Sequence, residues 1–206
     1  MVIAVIAANG RTGSAFVRAA LMAGHTVRAG IHGRDTLKPH DNLTTFECDA
    51  TNPDDLARLI KGSDAVASFI GHTKNSPRYV QSDAIRHLLK VSGEMGIKRI
   101  VSLTGTGVRM PGDVITLIDR VLNLSISIID PARVRDGIQH ANILKKSDSE
   151  WTILRVLKLQ NTPPRPFQLR ANGPTKVFIS RQDVAKAALD VIENHTFVMQ
   201  MPILGS

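Results

Sequence analysis

Short runs of apolar residues alternate along the chain with segments in which apolar residues recur every three or four positions. The runs, most of them rich in valine and isoleucine, predict strands at 2–7, 26–31, 44–47, 64–70, 98–103 and 151–156. The helical spacing predicts helices at 12–23, 54–61, 80–95, 134–147 and 181–194. Because strands and helices alternate, we predict an α/β protein with a doubly wound parallel sheet and helices on both faces.

The chain is predicted to fold as one unit. No internal repeat and no low-complexity linker interrupts the order of elements, so residues 1–206 are assigned to a single domain. Ligands of doubly wound sheets bind beyond the carboxyl ends of the strands, near the point where the strand order reverses. Two irregular segments with glycine and proline, 105–115 and 157–177, each follow a predicted strand. We therefore predict that they form the walls of a ligand pocket.

Composition and charge narrow the class of partner. The formal net charge is +8, which favours anionic partners, but the lysines and arginines occur in no run longer than two, and aromatic residues make up only 4%. Nucleic-acid-binding surfaces usually concentrate charge and stacking aromatics, so a small anionic molecule is favoured and nucleic acid is not expected. No apolar run approaches the roughly 20 residues of a membrane span, so no membrane association is expected.

The cysteine content bears on location and on metal binding. A single cysteine, Cys48, rules out an intramolecular disulfide and fits a reducing compartment, so a cytoplasmic location is expected. It also leaves no cysteine–histidine cluster with metal-ligand spacing, and no metal site is predicted. Both a monomer and a homodimer are compatible with the sequence.

The first predicted strand ends in the segment AANGRTG, residues 7–13, and a predicted helix follows directly. Glycine in such a turn lets the backbone approach a phosphate, and the helix N-terminus offers unpaired N–H groups and a favourable dipole. Gly10 and Gly13 are predicted to fill these roles, with Thr12 as a hydroxyl donor. Ala7 stands where a dinucleotide fold usually has its first glycine, which an extended backbone would accommodate. The alternative is a tight turn without a ligand.

This opening resembles the Gly-Ala-Thr-Gly-x-Thr-Gly start of the atypical short-chain dehydrogenase/reductase superfamily. Later segments resemble it in the same order, namely CDATNPDDLARLIKGSDAVASFIG, GIKRIVSLTGTG, HANILKKSDSEWTILRV and ISRQDVAKAALDVIEN. The nearest branch is the NAD(P)H-binding one that contains biliverdin-IX-beta reductase, a flavin reductase, and the NmrA-like proteins. The resemblance covers nearly the whole chain and implies a Rossmann-like fold that binds a dinucleotide.

The end of the second predicted strand bears on the choice between NAD and NADP. An acidic residue there would hold the adenine ribose of NAD, whereas an arginine would suit the 2′-phosphate of NADP. The strand ends in VRAGIHGRD, with His32 and Arg34 but no acid before Asp35. Together with Arg11, which can point toward the same phosphate, these residues favour NADP(H) over NAD(H). Taken alone, Arg34 would also be ordinary for a solvated loop.

The resemblance adds further cofactor contacts. In the family the acid after the third strand lies beside the adenine, which implies this role for Asp49; its alternative is to cap the following helix. Gly71 ends the fourth strand, where the chain passes under the cofactor, and His72 follows it. The complete set of predicted cofactor contacts is Ala7, Asn9, Gly10, Arg11, Thr12, Gly13, His32, Arg34, Asp49, Ala50, Gly71, His72 and Thr104.

The Tyr-x-x-x-Lys dyad with which many short-chain dehydrogenases protonate a carbonyl is absent from the sequence. The one tyrosine, Tyr79, is followed four residues later by Asp83, and alignment with the family puts Val134 and Ile138 at the usual dyad positions. Sugar epimerase and ordinary alcohol dehydrogenase chemistry are therefore disfavoured. A flavin or quinone stacked on the nicotinamide can accept hydride without a side-chain acid, and the flavin reductases that this chain resembles also lack the dyad.

Three polar residues are candidates for catalysis. In the resembling flavin reductases a serine follows the fifth strand near the nicotinamide, and here Thr104 and Thr106 flank Gly105 at that place. A threonine hydroxyl there could hold the nicotinamide amide or a substrate oxygen. His140 precedes the sixth strand and is a candidate proton donor, although a lone helical histidine is more often structural.

These features predict an NADPH-dependent oxidoreductase that passes hydride to a small flat acceptor such as a flavin or a quinone. The alternative is a non-catalytic NADP-binding redox sensor of the NmrA-like type, which would also lack the dyad. A third reading is a cofactor-binding scaffold protein in which the apolar segment 114–130 is a partner surface, although covering the pocket or the core is the simpler role of that segment.

Overall fold

The computed structural model describes residues 1–73 and 75–205, and a central sheet organises them. The strands are β1 (Val2–Ile6), β2 (Thr26–Ile31), β3 (Leu43–Glu47), β4 (Ala65–Ser68), β5 (Arg99–Gly105), β6 (Glu150–Val156), β7 (Lys158–Gln160), β8 (Gln168–Arg170), β9 (Phe178–Ser180) and β10 (Ile203–Gly205). Eight of them form one sheet in the order β3-β2-β1-β4-β5-β6-β10-β8. Among the described residues, the pairing of β10 with β8 is antiparallel and the other pairings of this sheet are parallel. Strands β7 and β9 form a separate parallel pair.

Helices cover both faces of this sheet, which confirms the predicted Rossmann-like, doubly wound α/β architecture. They are α1 (Arg11–Met22), α2 (Pro53–Ile60), α3 (Val80–Glu94), α4 (Leu117–Ile129), α5 (Pro131–Lys145) and α6 (Arg181–Glu193). One face carries α1 and α6, which pack together, and the other carries α2, α3 and α5. The six predicted strands and five predicted helices are confirmed, with ends that differ by no more than three residues.

Strand β1, at the centre of the sheet, is apolar along its whole length because both of its faces are buried. In β1, Ile3 and Val5 point into the layer beneath α1 and α6. Ala4 and Ile6 point into the opposite layer, beneath α2, α3 and α5. Since successive residues of a strand face opposite sides, a strand covered on both sides favours apolar residues at consecutive positions.

Helix α4 is an element that the sequence pattern does not predict. Its first turn is capped by Thr116, whose side-chain oxygen accepts a hydrogen bond from the N–H of Asp119. Leu122 and Ile126 on its inner side line the cavity described below, so the helix does cover the pocket. Its outer side is also apolar and is exposed at Leu117, Ile118, Val121, Leu124, Ile128 and Ile129.

Two physical features explain why helix α4 and the short strands β7 to β10 could not be predicted from the sequence. Apolar residues on both sides of α4 remove the one-sided pattern by which a surface helix is identified. Each of the strands β7 to β10 has only three residues, which is too few to establish a period.

Among the described residues, no helix is both long and apolar enough to cross a bilayer.

The fully buried guanidinium of Arg155, in β6, fixes the segment that follows β5. It forms a two-point ion pair with Asp113, in which Nη2 lies 2.7 Å from Oδ1. Nη1 also donates to the carbonyl oxygen of Val108 at 3.0 Å, and Nε donates to that of Met201 at 2.6 Å. A buried charge is tolerated when it is paired and hydrogen-bonded in this way. The network therefore holds the segment from Val108 to Asp113 against the sheet, next to the cavity.

The carboxyl group of Asp113 titrates abnormally because of these contacts. Burial by itself raises its pKa, but hydrogen bonds from Arg155 and from the N–H of Met110, together with the guanidinium charge, bring the pKa below its ordinary value. A lowered native pKa means that the folded state favours the charged carboxylate more than the unfolded state does. The resulting stabilisation is present above the ordinary pKa of aspartate and is lost as the pH falls through the lowered native pKa.

Replacing Asp113 by alanine leaves the guanidinium of Arg155 buried without its partner. We expect the free energy of unfolding at neutral pH to fall by about 3–5 kcal/mol, as measured by urea denaturation. The matched control is Asp83→Ala, which removes a pair with Arg86 whose two side chains are more than 40% exposed. That variant should lose no more than about 1 kcal/mol. Equal losses in the two variants would contradict the importance assigned to the buried pair.

Candidate functional site

A cavity of about 1010 Å³ opens at the carboxyl ends of β1, β4, β5 and β6, beside the point where the strand order reverses. It is at the upper end of the roughly 300–1,000 Å³ that ligand pockets usually occupy. Of the two segments predicted as walls, 105–108 and 157–159 line the cavity, whereas 109–115 turns toward the Arg155 network. The loop after β4 and the inner side of α4 also contribute to the wall.

Most of the predicted cofactor contacts are brought together in this cavity. Gly13 and Arg34 do not line it. Those that do are Ala7, Asn9, Gly10, Arg11, Thr12, His32, Asp49, Ala50, Gly71, His72 and Thr104.

The turn between β1 and α1 is built around the carbonyl group of Ala7. The sequence led us to expect an extended backbone at Ala7. Its φ is 58°, so the backbone there is left-handed instead. An alanine strains that conformation, whereas a glycine would adopt it freely. A Cβ atom placed on Gly13 would lie 2.2 Å from the carbonyl oxygen of Ala7, so only glycine fits at that position. Gly13 does not line the cavity; it lets α1 begin directly against the strand.

The first turn of α1 faces the cavity with its amide groups uncapped. Its N-cap residue, Gly10, has no side chain to accept from them, and the first turn contains no acidic residue. The leading N–H groups of a helix have no partners within the helix, and the helix dipole makes this end favourable for an anion. Arg11 and Thr12 line the cavity at the same point. The arrangement is suited to a phosphate or pyrophosphate group.

The loop after β2 forms the end of the cavity that carries His32. The side-chain amide of Asn9 donates to the carbonyl oxygens of His32 and Arg34, both at 2.9 Å, and so ties this loop to the turn before α1. Asp49 lies near enough to His32 for their charges to interact. Hydrogen bonds from Thr51 lower the pKa of Asp49 below its ordinary value, and a positive charge on His32 lowers it further.

Arg181, at the start of α6, is a cavity residue that sequence reasoning missed. Its side chain donates to the side-chain oxygen of Asn161 at 2.6 Å. Burial lowers the pKa of its guanidinium, and the neighbouring positive charge of Arg11 lowers it further. Two cations that approach each other at a cavity wall are suited to an anion between them. The start of the helix is readable from sequence, but the approach of Arg181 to Arg11 depends on the packing of α6 beside α1.

Thr104, near the end of β5, and Thr106, just after it, both line the cavity but have different surroundings. Thr104 lines the cavity, and its hydroxyl lies 2.9 Å from the point where a Cβ on Gly137 would be, so α5 approaches it closely. Thr106 donates to the carboxylate of Asp119 at 2.9 Å and accepts from Asn123 at 3.0 Å. Because its hydroxyl is engaged with α4, Thr106 serves to anchor the helix that covers the cavity.

The two histidines near the sheet edge also differ. His140 is buried in the interior between α3, α5 and the sheet and does not line the main cavity. Burial lowers its pKa to about 4, so its imidazole is neutral at pH 7. Its position gives no support to the predicted role as a proton donor. His72 does line the cavity, and its Nε2 lies 2.8 Å from the carboxylate of Asp136.

Comparison with known proteins places this geometry in context. The family described as NAD(P)H-binding matches residues 7–195. No curated protein matches the chain in sequence.

Several solved structures share the fold. A short-chain dehydrogenase/reductase from Veillonella parvula in complex with NADP is 20% identical, with a TM-score of 0.80 over 100% of this chain and 94% of that chain. A candidate NADH-flavin reductase from Streptococcus pneumoniae is 20% identical, with a TM-score of 0.77 over 99% of this chain and 98% of that one. A candidate epimerase from Bacteroides thetaiotaomicron is also 20% identical, with a TM-score of 0.80 and coverages of 99% and 96%.

Replacing Ala7 by glycine should relieve the strain in the turn. We expect the free energy of unfolding to rise by about 1 kcal/mol, because the left-handed conformation costs an L residue about 1–2 kcal/mol and the freedom of glycine in the unfolded chain offsets part of that gain. Urea denaturation measures the change. The matched control is Ala8→Gly at the next, fully buried position, which should destabilise the protein. A loss of stability in both variants would contradict the strain assigned to Ala7.

Replacing Arg181 by glutamine should weaken the anion site without disturbing the turn before α1. We expect the Kd for NADP+ to rise about tenfold, which corresponds to the loss of about 1.4 kcal/mol from one charge-assisted contact. Isothermal titration calorimetry measures the affinity. Arg18→Gln, at an exposed position of α1 outside the cavity, is the control and should leave the Kd unchanged. An unchanged Kd in Arg181→Gln would show that the guanidinium of Arg181 does not contribute to NADP+ binding.

Proposed function

The chain belongs to the NAD(P)H-binding family, and from this premise we propose that it is a reductase that passes hydride from NADPH to a flat small-molecule acceptor such as a flavin or a quinone. The membership confirms that the chain is NAD(P)H-binding, as its resemblance to known sequences implied. The choice of acceptor and the preference for NADPH are the parts that we propose, and the surroundings of the cavity support them.

The residues at the sheet edge fit the dinucleotide. The uncapped amide groups of α1, which Gly13 allows to reach the edge of the sheet, would hold the pyrophosphate together with Arg11 and Arg181. Thr104, in the cavity wall after β5, would hold the nicotinamide end by its hydroxyl. When bound, NADPH supplies a hydride, which together with one proton reduces an acceptor by two electrons and leaves NADP+.

The observation that carries the choice of acceptor is a set of aliphatic side chains in the cavity wall. They are Val134 from α5, Leu122 and Ile126 from α4, and Leu159 from β7. Asn123, Arg133 and Lys158, from the same elements, add polar and positively charged groups to the wall. Aliphatic side chains offer contact surface to a planar ring system, and a few polar groups beside them can orient it.

The absence of the usual proton-donating dyad supports the same choice. Val134, at the position where the family alignment places the tyrosine, lines the cavity with an apolar side chain. Tyr79, the one tyrosine of the sequence, lies at the N-cap of α3. The chain would therefore contribute mainly by positioning the two reactants, which is sufficient for a flavin or a quinone.

The proposed preference for NADPH rests on the end of β2. His32 lines the cavity where a carboxylate would select the ribose of NAD, and it carries a positive charge when protonated. Arg34 lies outside the cavity wall, so its part in binding the 2′-phosphate requires movement of its side chain. Asp49 lies near His32, and a positive charge on His32 contributes to the lowered pKa of Asp49.

The proposal is tested by following the absorbance of NADPH, with FMN, riboflavin and a small quinone added in turn to the purified protein. We expect oxidation well above that of Gly13→Asp, because any side chain at this position meets the carbonyl oxygen of Ala7. With the best acceptor, kcat/KM should be higher for NADPH than for NADH. Binding of NADPH without oxidation by any of the three acceptors would overturn the reductase and favour a redox sensor. A higher kcat/KM for NADH would overturn the NADP preference alone.

A further inference from the structure

A histidine–carboxylate pair lies in the wall of the cavity, and neither the family resemblance nor the dyad pattern accounts for it. His72 follows the end of β4, and its Nε2 lies 2.8 Å from Oδ2 of Asp136 in α5. Asp136 is fully buried, whereas the imidazole of His72 is 9% exposed and lines the cavity. The pair therefore joins a buried carboxylate to a group that a ligand can reach.

Hydrogen bonds from α3 hold the carboxylate of Asp136 in place. It accepts from the backbone N–H groups of Gln81 and Ser82, both at 2.9 Å, and from the hydroxyl of Ser82. These amides belong to the first turn of α3, so the carboxylate of one helix caps the positive end of another. Both carboxylate oxygens therefore act as acceptors, and their directions are fixed by α3.

The charge on Asp136 fixes the tautomer of His72. A carboxylate can only accept, so Nε2 of the imidazole must carry the proton that is donated to it. In the neutral imidazole Nδ1 is then the unprotonated nitrogen. Within the described residues Nδ1 has no hydrogen-bond partner, and it is not fully buried. Nδ1 is thus free to take up a proton and to give it to a molecule in the cavity.

The pair lies next to the place assigned to the nicotinamide. Gly137, which follows Asp136 in α5, is the residue whose Cα approaches the hydroxyl of Thr104. The same turn of α5 therefore touches His72 on one side and Thr104 on the other, and both of these residues line the cavity. An acceptor held near Thr104 would lie within the space that His72 also borders.

From this arrangement we propose that His72 donates, from Nδ1, the proton that completes reduction of the acceptor, with Asp136 as the positioning residue. The inference rests on the proposed reductase function. The hydride brings the electron pair; the Nδ1–H bond of the imidazolium then breaks, and the proton bonds to the anionic oxygen or nitrogen of the reduced acceptor. The electron pair of the broken bond stays on Nδ1, and neutral His72 regains a proton from solvent.

The charged groups around His72 determine how this donor responds to pH. The carboxylate of Asp136 contacts it directly, and Arg133 of α5 lines the same cavity. Gln81 and Ser82, from α3, are neutral. His140 lies one turn beyond Asp136 and is neutral at pH 7, because burial lowers its pKa to about 4. The direct partner of His72 is therefore the carboxyl group of Asp136.

The first test compares His72→Gln with the wild type in NADPH oxidation with a small quinone. Glutamine can still donate to Asp136 but cannot release a proton. We expect kcat to fall about 100-fold, as is usual for loss of a general acid, which is a much larger change than any in the Kd for NADP+. The wild-type kcat should fall as the pH rises from about 5 to about 9, and this dependence should be absent in His72→Gln. His40→Gln, at an exposed position outside the cavity, is the matched control.

A second measurement does not depend on turnover. Nitrogen NMR of the histidine side chains should show His72 with its proton on Nε2 when neutral, and this tautomer preference should be lost in Asp136→Asn. A proton on Nδ1 in the neutral wild type would overturn the inference even if the glutamine variant failed to fold. Equal kcat values for His72→Gln and the wild type would overturn it while leaving the reductase intact. If the wild type oxidises no NADPH, the proposed function fails and the inference fails with it.

Discussion

The nucleotide-binding end of this protein depends on how closely helix α1 approaches the carbonyl group of Ala7. The space available at Gly13 is smaller than a methyl group, and any side chain there would push the helix away from β1. Because the helix begins at this point, its uncapped amide groups lie at the edge of the sheet beside the switch in strand order. The strained backbone of Ala7 is the consequence of placing an alanine where the turn requires a left-handed residue.

Two buried charged groups hold the opposite wall of the cavity. Arg155 joins β6 to the segment after β5 through Asp113, and Asp136 joins α5 to the first turn of α3. Both lie in a core that is mostly aliphatic, where an unpaired charge would be costly. Each is compensated by several hydrogen bonds. Because hydrogen bonds are directional, they fix the positions of the joined segments more narrowly than apolar packing alone would. Such fixed loops suit a site whose main contribution is to orient two reactants.

The fold could be predicted from the sequence because its main signals are local. Apolar runs such as residues 2–7 identify buried strands, and the glycine segment after the first strand identifies the turn into α1. Helix α4 could not be predicted, since it is apolar on the side that faces solvent as well as on the side that covers the cavity. Its exposed apolar side also shows why a periodic pattern alone does not tell which face of a helix is inside.

The candidate site was predictable only where residues follow a strand directly. Arg11 and Thr104 were found in this way, and both line the cavity. The approach of Arg181 to Arg11, and the contact of Asp136 with His72, join residues far apart in the chain, and only tertiary packing brings them together. His140 has the residue type of a proton donor, but burial removes its charge and separates it from the cavity.

The central claim is that hydride passes directly from a nicotinamide held in this cavity to a flat acceptor beside it. It is tested most directly with NADPH deuterated at either of the two C4 positions, by mass spectrometry of the NADP+ formed when a quinone is reduced. A nicotinamide held with one face toward the protein should lose all deuterium from one form of NADPH and retain all of it from the other. Equal, partial loss from both forms, or no NADP+ above the rate without protein, would contradict the account.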